Sequence, residues 1–405
     1  MQRFLKYLFV LLWFSACGQP VPVPPPTTTE IPIEVVQKPL ILGAERTAIY
    51  LSLLKGKKVG IIANQTSIVS NVHLVDTLLS LGIKVKKVFA PEHGFRGNAS
   101  AGEKITDGKD KKTGLPIVSL YGSNYKPSAK NLKGLDVVIF DIQDVGTRFY
   151  TYISTMSYMM EACAEQGIPV LIFDRPNPNG HYVDGPVLNP KFSSFVGLHP
   201  VPVVHGMTVG EYAKMVNGEG WLKDGIQCDL TVIEMENYSR SEPYELPVPP
   251  SPNLPNQKAI YLYPSLCFFE GTVVSEGRGT DKPFQQFGYP KMPNGNTSFT
   301  PESIKGVAQY PKFQGKKCNG IDLSILSEDT LRAMSKIDLN WLIETYRSYP
   351  EKDKFFKNNF FDKLAGSSEL RKQIIARKTA DEIRKTWETE LLQFKIIRKK
   401  YLVYP

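Results

Sequence analysis

Ten polar side chains that could bind or process a ligand follow four short apolar runs of the sequence. The runs cover 58–63, 84–89, 137–140 and 170–173 and carry the β-branched residues of buried strands. The side chains are Asn64, Glu92, His93, Arg96, Asp141, Gln143, Asp144, Arg148, Tyr150 and Arg175. Because ligands of open parallel sheets bind beyond the carboxyl ends of the strands, these groups are predicted to meet at one rim. Carboxylates, guanidinium groups and an imidazole on one rim favour acid–base chemistry on a charged ligand.

Glu92 is the candidate general acid. It follows Pro91 and precedes Gly94 and Gly97, so its carboxyl group is expected to leave the strand in a turn, directed toward a ligand. The alternative is a purely structural ion pair between Glu92 and Arg96.

A second group of charged residues lies in FFEGTVVSEGRGT at 268–280. If this stretch is a strand, alternation places Glu270, Glu276 and Arg278 on one face, where they would point into a cleft between two domains. The glycines within the stretch permit a bulge, which leaves the register open. The candidates for a second catalytic carboxylate are Glu270, Glu276, Asp141 and Asp144.

Aromatic residues occur beside these charged groups. They are Phe95, Phe149, Tyr150, Tyr152, Phe284 and Phe287. Aromatic faces bind the C–H faces of sugars, although core packing is an equally open reading for each ring. Arg148 and Arg278 are the candidates for binding a carboxylate, because a guanidinium can contact both of its oxygens. The combination indicates an anionic sugar as the ligand.

Several other classes of protein are disfavoured. The sequence has no GxSxG, no GxxxxGK[ST] and no GxGxxG after a strand, so serine-hydrolase and nucleotide chemistry are not expected. The histidines are scattered and no CxxC occurs, so neither a metal nor any other cofactor is predicted. Lys and Arg (49) exceed Asp and Glu (40), yet no basic arm indicates nucleic-acid binding.

The pattern of elements predicts an α/β protein of two domains. Strand-like runs alternate with helical segments at 71–81 and 152–166, and this spacing requires a parallel sheet covered by helices. The proline-rich stretch at 248–256 is predicted to be an ordered linker. We therefore expect a Rossmann-like domain over 39–256 and a smaller α+β domain over 257–405, which ends in helices at 328–349 and 379–392.

The N-terminus has the pattern of a lipoprotein signal. A basic segment with Arg3 and Lys6 precedes an apolar run that ends at Cys17, and residues 18–38 form a Pro/Thr-rich tether. Cys17 is expected to be acylated, which would anchor the protein to a membrane of the cell envelope, facing the periplasm. An ordinary secretory signal is the alternative. The four remaining cysteines are expected to be buried free thiols.

Six motifs occur in order along most of the chain. They are PEHGFRG at 91–97, DIQDVGTRFYTY at 141–152, DRPNP at 174–178, HGMTVGEY at 205–212, PSPNLP at 250–255 and EGRGT at 276–280. This set resembles the NamZ-type exo-β-N-acetylmuramidases. The resemblance implies a Rossmann-like domain and a smaller domain with the active site between them. It also implies release of N-acetylmuramic acid (MurNAc) from the non-reducing ends of peptidoglycan fragments, with Glu92 as a catalytic residue.

Two other functions remain open from the residues alone. A non-catalytic lipoprotein that binds envelope carbohydrate would use the same aromatic and arginine side chains, and a metal-dependent hydrolase could use the strand-end aspartates. The second catalytic group also stays open, because a glycosidase that acts on a 2-acetamido sugar can use either a carboxylate or that acetamido group.

Overall fold

A computed structural model describes residues 38–96, 107–122 and 124–405. The predicted signal peptide, the lipidation site Cys17 and residues 18–37 of the predicted tether lie outside the described residues. Backbone contacts join residues 39–405 into one unit. None of the helices in the described part of the chain has the length and apolar composition needed to cross a bilayer.

The described residues contain twelve β-strands. They are β1 (Lys58–Ala63), β2 (Ile68–Val69), β3 (Val72–His73), β4 (Lys84–Ala90), β5 (Gly108–Lys109), β6 (Pro116–Ser119), β7 (Val137–Asp141), β8 (Val170–Phe173), β9 (Leu230–Ile233), β10 (Gln286–Tyr289), β11 (Thr297–Phe299) and β12 (Cys318–Asp322).

The same residues contain twelve α-helices. They are α1 (Thr47–Leu54), α2 (Leu74–Ser80), α3 (Ala129–Leu132), α4 (Tyr152–Ala164), α5 (Val209–Gly218), α6 (Gln257–Leu266), α7 (Glu328–Ala333), α8 (Leu339–Ser348), α9 (Asn358–Ala365), α10 (Glu369–Ile375), α11 (Ala380–Lys385) and α12 (Glu388–Lys399).

Seven strands form one large sheet in the order β5-β6-β4-β1-β7-β8-β9. All neighbouring pairs are parallel except β5 and β6, which are antiparallel. The predicted α/β class with a parallel sheet is confirmed, and all the predicted strand runs of this sheet are strands. After β1 the chain first adds β4 and β6 on one side of β1, and it then adds β7, β8 and β9 on the other side. A crevice for ligands opens where the strand order changes direction in this way.

The sheet separates two hydrophobic clusters. Along β7, Val137 and Ile139 belong to the cluster that includes α1 and α2, whereas Val138 and Phe140 belong to the cluster that includes α4 and α5. Successive residues of a strand point to opposite faces, so a continuous apolar run is required when both faces are covered. The apolar sequence of β7 therefore follows directly from its central place in the sheet.

The smaller C-terminal domain packs beside the α4 face of the sheet. It contains an antiparallel sheet in the order β10-β12-β11 and the helices α6 to α12. One hydrophobic cluster continues from α4 into this domain. The division between residues 256 and 257 stays a prediction, but α6 begins there, with the Asn256 side chain accepting a hydrogen bond from the Ala259 N–H at 3.0 Å.

The predicted strand over 268–280 is wrong. Residues Cys267–Gly271 form a 3₁₀ turn and an irregular segment follows. Cys267, Phe268 and Phe269 are all buried, and three consecutive buried side chains do not fit the alternation of a half-buried strand. The predicted helices at 328–349 and 379–392 are each two helices, α7 with α8 and α11 with α12. Ser335 interrupts the first pair with a φ of 45°.

The four cysteines in the described part of the chain are free and buried, as predicted: Cys163, Cys228, Cys267 and Cys318.

Candidate active site

A cavity of about 380 Å³ lies between the strand ends of the large sheet and the C-terminal domain. From the sheet side, Glu92 follows β4, Tyr121 follows β6 and Thr151 lies between β7 and α4. From the C-terminal domain, Glu270 and Arg278 complete the wall. The predicted convergence of strand-end loops is therefore present where the strand order switches.

Glu92 lies in a tight turn whose conformation brings its side chain into the cavity. The Gly94 N–H donates to the Pro91 carbonyl at 3.0 Å, and His93 adopts a φ of 68°, which few non-glycine residues do. The Tyr121 hydroxyl donates to Glu92 Oε1 at 2.8 Å and the Thr151 hydroxyl donates to Oε2 at 3.1 Å. A hydroxyl group can donate to a carboxylate or accept from a carboxylic acid, so both forms of Glu92 have partners.

Tyr121 itself stays protonated over a wide pH range. Burial and the neighbouring Glu92 carboxylate both raise the pKa of its phenol well above the ordinary value of 10.0. The Tyr121 hydroxyl is therefore a lasting hydrogen-bond partner for Glu92.

Glu270 is held by a cation rather than by hydroxyl groups. Arg278 donates from Nε and Nη2 to Glu270 Oε1, at 3.1 and 2.5 Å. Gly277 and Gly279, with φ values of 82° and 79°, turn the backbone on both sides of Arg278. The guanidinium also lies 4.9 Å from the centre of the Phe284 ring. Glu270 is thus a second carboxylate that lines the cavity in a fixed position.

Glu276 lies behind this pair and outside the cavity lining. Lys312 Nζ contacts Glu276 Oε2 at 2.9 Å, and Arg278 Nε lies 3.4 Å from Oε1. Burial alone would raise the pKa of Glu276, but Lys312 and Arg278 hold that pKa below the ordinary value. Glu276 therefore positions Arg278, and the prediction that it reaches the ligand is corrected.

Aromatic rings supply much of the remaining lining. Tyr125 and Phe195 stack with their ring centres 3.9 Å apart, and Tyr150 and Tyr152 meet edge to face at 4.8 Å. Four of the six aromatic residues predicted for the site line the cavity: Phe149, Tyr150, Tyr152 and Phe284. Phe95 and Phe287 do not line the cavity and pack within the hydrophobic clusters. Flat aromatic surfaces beside two carboxylates are suited to a sugar ring.

Of the polar and charged residues predicted for the site, five line the cavity: Glu92, His93, Tyr150, Glu270 and Arg278. The others have structural partners beneath it. Asp141 and Arg175 form a buried ion pair, with Arg175 Nε 2.6 Å from Asp141 Oδ1. Arg96 donates two hydrogen bonds to Asp110, at 2.9 and 2.8 Å. These three residues hold the strand-end loops in place.

The predicted amide residues and Asp144 also form the base of the site. Asn64 accepts two hydrogen bonds from Thr66, and Gln143 donates to the carbonyls of Asp144 and Pro176. Asp144 is buried and accepts from the Gly146 N–H at 2.6 Å. Burial raises the pKa of Asp144 to about 7. Asp141 and Asp144 do not line the cavity, so neither is in a position to act as the second catalytic carboxylate.

Arg148 is fully buried and does not face the cavity. Its guanidinium donates to the carbonyls of Pro186, Val201 and Leu364 at 2.7, 2.7 and 2.9 Å. Burial lowers the pKa of Arg148 to about 9. Because Leu364 belongs to α9, Arg148 joins the sheet domain to the helix that forms part of the opposite wall. The prediction that Arg148 binds a substrate carboxylate is therefore wrong, because its guanidinium group is buried against backbone carbonyls.

Several lining residues were not predicted. They are Tyr121, Tyr125, Thr151, Phe195, Phe360 and Lys363. Tyr121 follows β6, so the strand-end rule used for the other residues would have found it. Phe360 and Lys363 lie on α9, with no local motif that connects them to the site.

Within the described residues, no group of three or more His, Cys, Asp or Glu side chains is arranged to hold a metal ion.

Two carboxylates in an aromatic cavity are the groups that a carbohydrate-cleaving hydrolase requires. Family models described as "Exo-beta-N-acetylmuramidase NamZ", N-terminal and C-terminal, match residues 59–258 and 261–404. The chain belongs to this NamZ family of exo-β-N-acetylmuramidases.

Three known proteins are similar to this chain over most of its length. The peptidoglycan β-N-acetylmuramidase NamZ of Bacillus subtilis (strain 168) is 42% identical over 374 residues, which are 88% of this chain and 89% of that protein. A crystal structure of a DUF1343 family protein from Bacteroides fragilis NCTC 9343 has a TM-score of 0.84 and 50% identity, covering 91% of this chain and 99% of that one. A second DUF1343 structure from the same organism has a TM-score of 0.78 and 28% identity, covering 90% and 99%.

Proposed function

We propose that this protein is an exo-acting glycoside hydrolase that releases MurNAc from the non-reducing ends of peptidoglycan fragments, in turnover of the cell wall. The observation that carries the proposal is the position of Glu92, a carboxyl group held in the cavity by two hydroxyl groups. Glu270 lines the same cavity, and family membership supports a muramidase activity.

Glu92 acts in this proposal as the general acid and then as the general base. It donates a proton to the glycosidic oxygen as the bond from that oxygen to the anomeric carbon breaks, and the leaving sugar departs as an alcohol. Water then forms a bond to the anomeric carbon and returns a proton to Glu92. The hydroxyl groups of Tyr121 and Thr151 serve Glu92 in both protonation states, so the proton transfers need no rearrangement of partners.

Glu270 is the proposed second carboxylate. Positive charge develops at the anomeric carbon in the transition state, and a fixed negative charge beside it lowers its energy. Among the four acids that the sequence left open, Glu270 alone lines the cavity with Glu92, while Glu276, Asp141 and Asp144 lie behind the lining. Arg278 supports this role, because it fixes the orientation of the Glu270 carboxylate.

The size of the cavity supports action at chain ends. Its volume of about 380 Å³ is near the lower limit of ligand pockets, which range from about 300 to 1,000 Å³. Such a space suits one terminal sugar rather than several consecutive sugars of a glycan strand.

The proposal is tested by incubating the full-length protein with a MurNAc-GlcNAc disaccharide, with and without a chelator, and measuring free MurNAc. Release in both samples is the expected result. Binding of the disaccharide without any release would favour the non-catalytic carbohydrate-binding protein. Release that the chelator abolishes would overturn the mechanism based on Glu92 and Glu270.

We further propose that the protein is anchored through acylated Cys17 to a membrane of the cell envelope, facing the periplasm. The proposal is supported by the apolar run that ends at Cys17 and by the Pro/Thr-rich residues after it. Cys17→Ser should move the protein from the membrane fraction to the soluble fraction and abolish incorporation of a labelled fatty acid. Unchanged fractionation would contradict the anchor.

A further inference from the structure

Phe360 and Lys363 lie one turn apart on one face of α9, and both line the cavity. The adjacent side of α9 carries Phe361 and Leu364, which are buried in the hydrophobic core. Core packing and the hydrogen bond from Arg148 to the Leu364 carbonyl therefore fix α9, and with it the position of Lys363. Lys363 is half-buried, and its side chain lines the cavity.

The cations near the cavity differ in their partners. Arg278 lies between two carboxylates, those of Glu270 and Glu276. Lys312 contacts Glu276 and donates to two backbone carbonyls. Across residues 38–96, 107–122 and 124–405, by contrast, Lys363 has neither a carboxylate partner nor a hydrogen-bond acceptor for its ammonium group.

A cation that lines a cavity without an internal counterion is available to an anionic ligand, because no carboxylate of the described residues competes for it. A ligand that brings a negative charge to Lys363 would supply the missing counterion. The Phe360 ring beside it, more than a third exposed at 38%, offers an apolar surface next to that charge.

We propose that Lys363 is the specificity-determining residue of the cavity and binds the carboxylate of the lactyl group that distinguishes MurNAc from N-acetylglucosamine. This inference rests on the proposed function, since it identifies which part of the proposed substrate α9 contacts. It assigns different tasks to the two lining cations: Arg278 orients Glu270, and Lys363 selects the anionic sugar.

Hydrolysis of two matched substrates tests the inference. One is MurNAc-GlcNAc, and the other is the same disaccharide with the lactyl carboxyl group converted to a neutral amide. A charge-assisted hydrogen bond is lost in Lys363→Met, so its kcat/KM for the free acid should fall about 10- to 100-fold. Its kcat/KM for the amide should stay within about threefold of the unchanged protein. Lys363→Arg keeps the charge and should retain the preference for the acid.

Lys395→Met is the matched control, because Lys395 is an exposed lysine of α12 outside the cavity. It should leave both rates unchanged. Thermal unfolding of each variant confirms that the fold is intact. Equal losses on the acid and the amide in Lys363→Met would overturn the inference, as would a preference for the acid that survives the substitution.

A binding measurement separates this inference from the proposed function. Calorimetric titration with MurNAc and with N-acetylglucosamine needs no turnover. Tighter binding of MurNAc that disappears in Lys363→Met would support the inference even if no disaccharide were cleaved. Cleavage of the disaccharide with no such difference in binding or rate would support the function and overturn the role of Lys363.

Discussion

At the strand ends of the sheet, Asp141 and Arg175 form an ion pair that is almost completely buried, whereas in the cavity Glu92 accepts hydrogen bonds from two hydroxyl groups. Two cations differ in the same way, since one has only internal partners and the other faces the cavity. Arg148 is enclosed by three backbone carbonyls, while Lys363 lines the cavity with no partner in the described part of the chain.

The difference shows which charges serve the fold and which are available to a ligand. A charge whose hydrogen bonds are all made internally is costly to disturb, because the partner left behind is buried without compensation. A carboxyl group beside hydroxyl groups keeps hydrogen bonds to them in either protonation state, because a hydroxyl group can donate to the carboxylate or accept from the acid. Charges that are buried behind the cavity lining should therefore control stability, and charges that line the cavity should control turnover.

The largest expected effect is on turnover in Glu92→Gln. Glutamine retains the size and hydrogen bonding of the side chain but cannot transfer the proton, so kcat/KM should fall about 10²- to 10⁴-fold while thermal unfolding is unchanged. Glu344→Gln is the control, because Glu344 is an exposed glutamate of α8. A folded Glu92→Gln protein that cleaves at the rate of the unchanged protein would remove Glu92 from the mechanism.

Arg148→Met should act on stability. It removes a donor from three buried carbonyl oxygens, of which that of Val201 also accepts from the Leu188 N–H at 3.1 Å. The free energy of unfolding in a denaturant titration should therefore fall by about 3 to 5 kcal/mol. Arg347→Met removes an exposed ion pair on α8 and should cost less than about 1 kcal/mol. If Arg148→Met were as stable as the unchanged protein but lost its preference for the MurNAc carboxylate, Arg148 would belong to the cavity after all.

Asp144→Asn should change how stability depends on pH. Burial raises the pKa of Asp144 from 3.8 to about 7 in the folded protein. The folded state therefore binds this proton more tightly than the unfolded state, and unfolding becomes easier as pH rises from about 4 to 7. Asparagine cannot lose a proton, so the variant should gain about 2 to 4 kcal/mol relative to the unchanged protein by pH 7 and no more above it.

Denaturant titrations of both proteins at several pH values between 4 and 8 measure this difference. Other titrating groups are common to the two proteins and cancel. A difference that is constant over the whole range would show that Asp144 does not titrate in this window.

Tyr121→Phe should have the smallest effect. It removes one of the two hydroxyl donors to Glu92, which corresponds to about a tenfold loss in kcat/KM with little change in stability. Tyr310→Phe is the control, because Tyr310 is 85% exposed. Full activity in Tyr121→Phe would mean that the Tyr121 hydroxyl is not needed to hold Glu92.

Most of the large sheet and half of the candidate site can be predicted from local sequence. The continuous apolar runs of β1, β7 and β8 identify strands buried on both faces, and such strands must be parallel and covered by helices. The position of Glu92 follows from the same rule, because it comes directly after β4 and before a glycine that allows the turn. Only local spacing is needed for these predictions.

The segment 268–280 shows where local spacing is insufficient. Its polar residues alternate as in a strand, yet burial of Phe268 and Phe269 in the shared core imposes a turn. Glu270 and Arg278 still reach the cavity, but through glycine turns and an ion pair rather than through strand alternation.

The sequence by itself determined the strands, the parallel sheet and the acid that leaves β4, because these depend on the order and periodicity of nearby residues. The tertiary structure alone decided that Arg148 faces backbone carbonyls and that Lys363 lines the cavity. Those two side chains lie more than two hundred residues apart in the chain, and their surroundings depend on how α9 packs against the sheet domain. The partners of a charge are set by such long-range packing, which no local pattern in the sequence records.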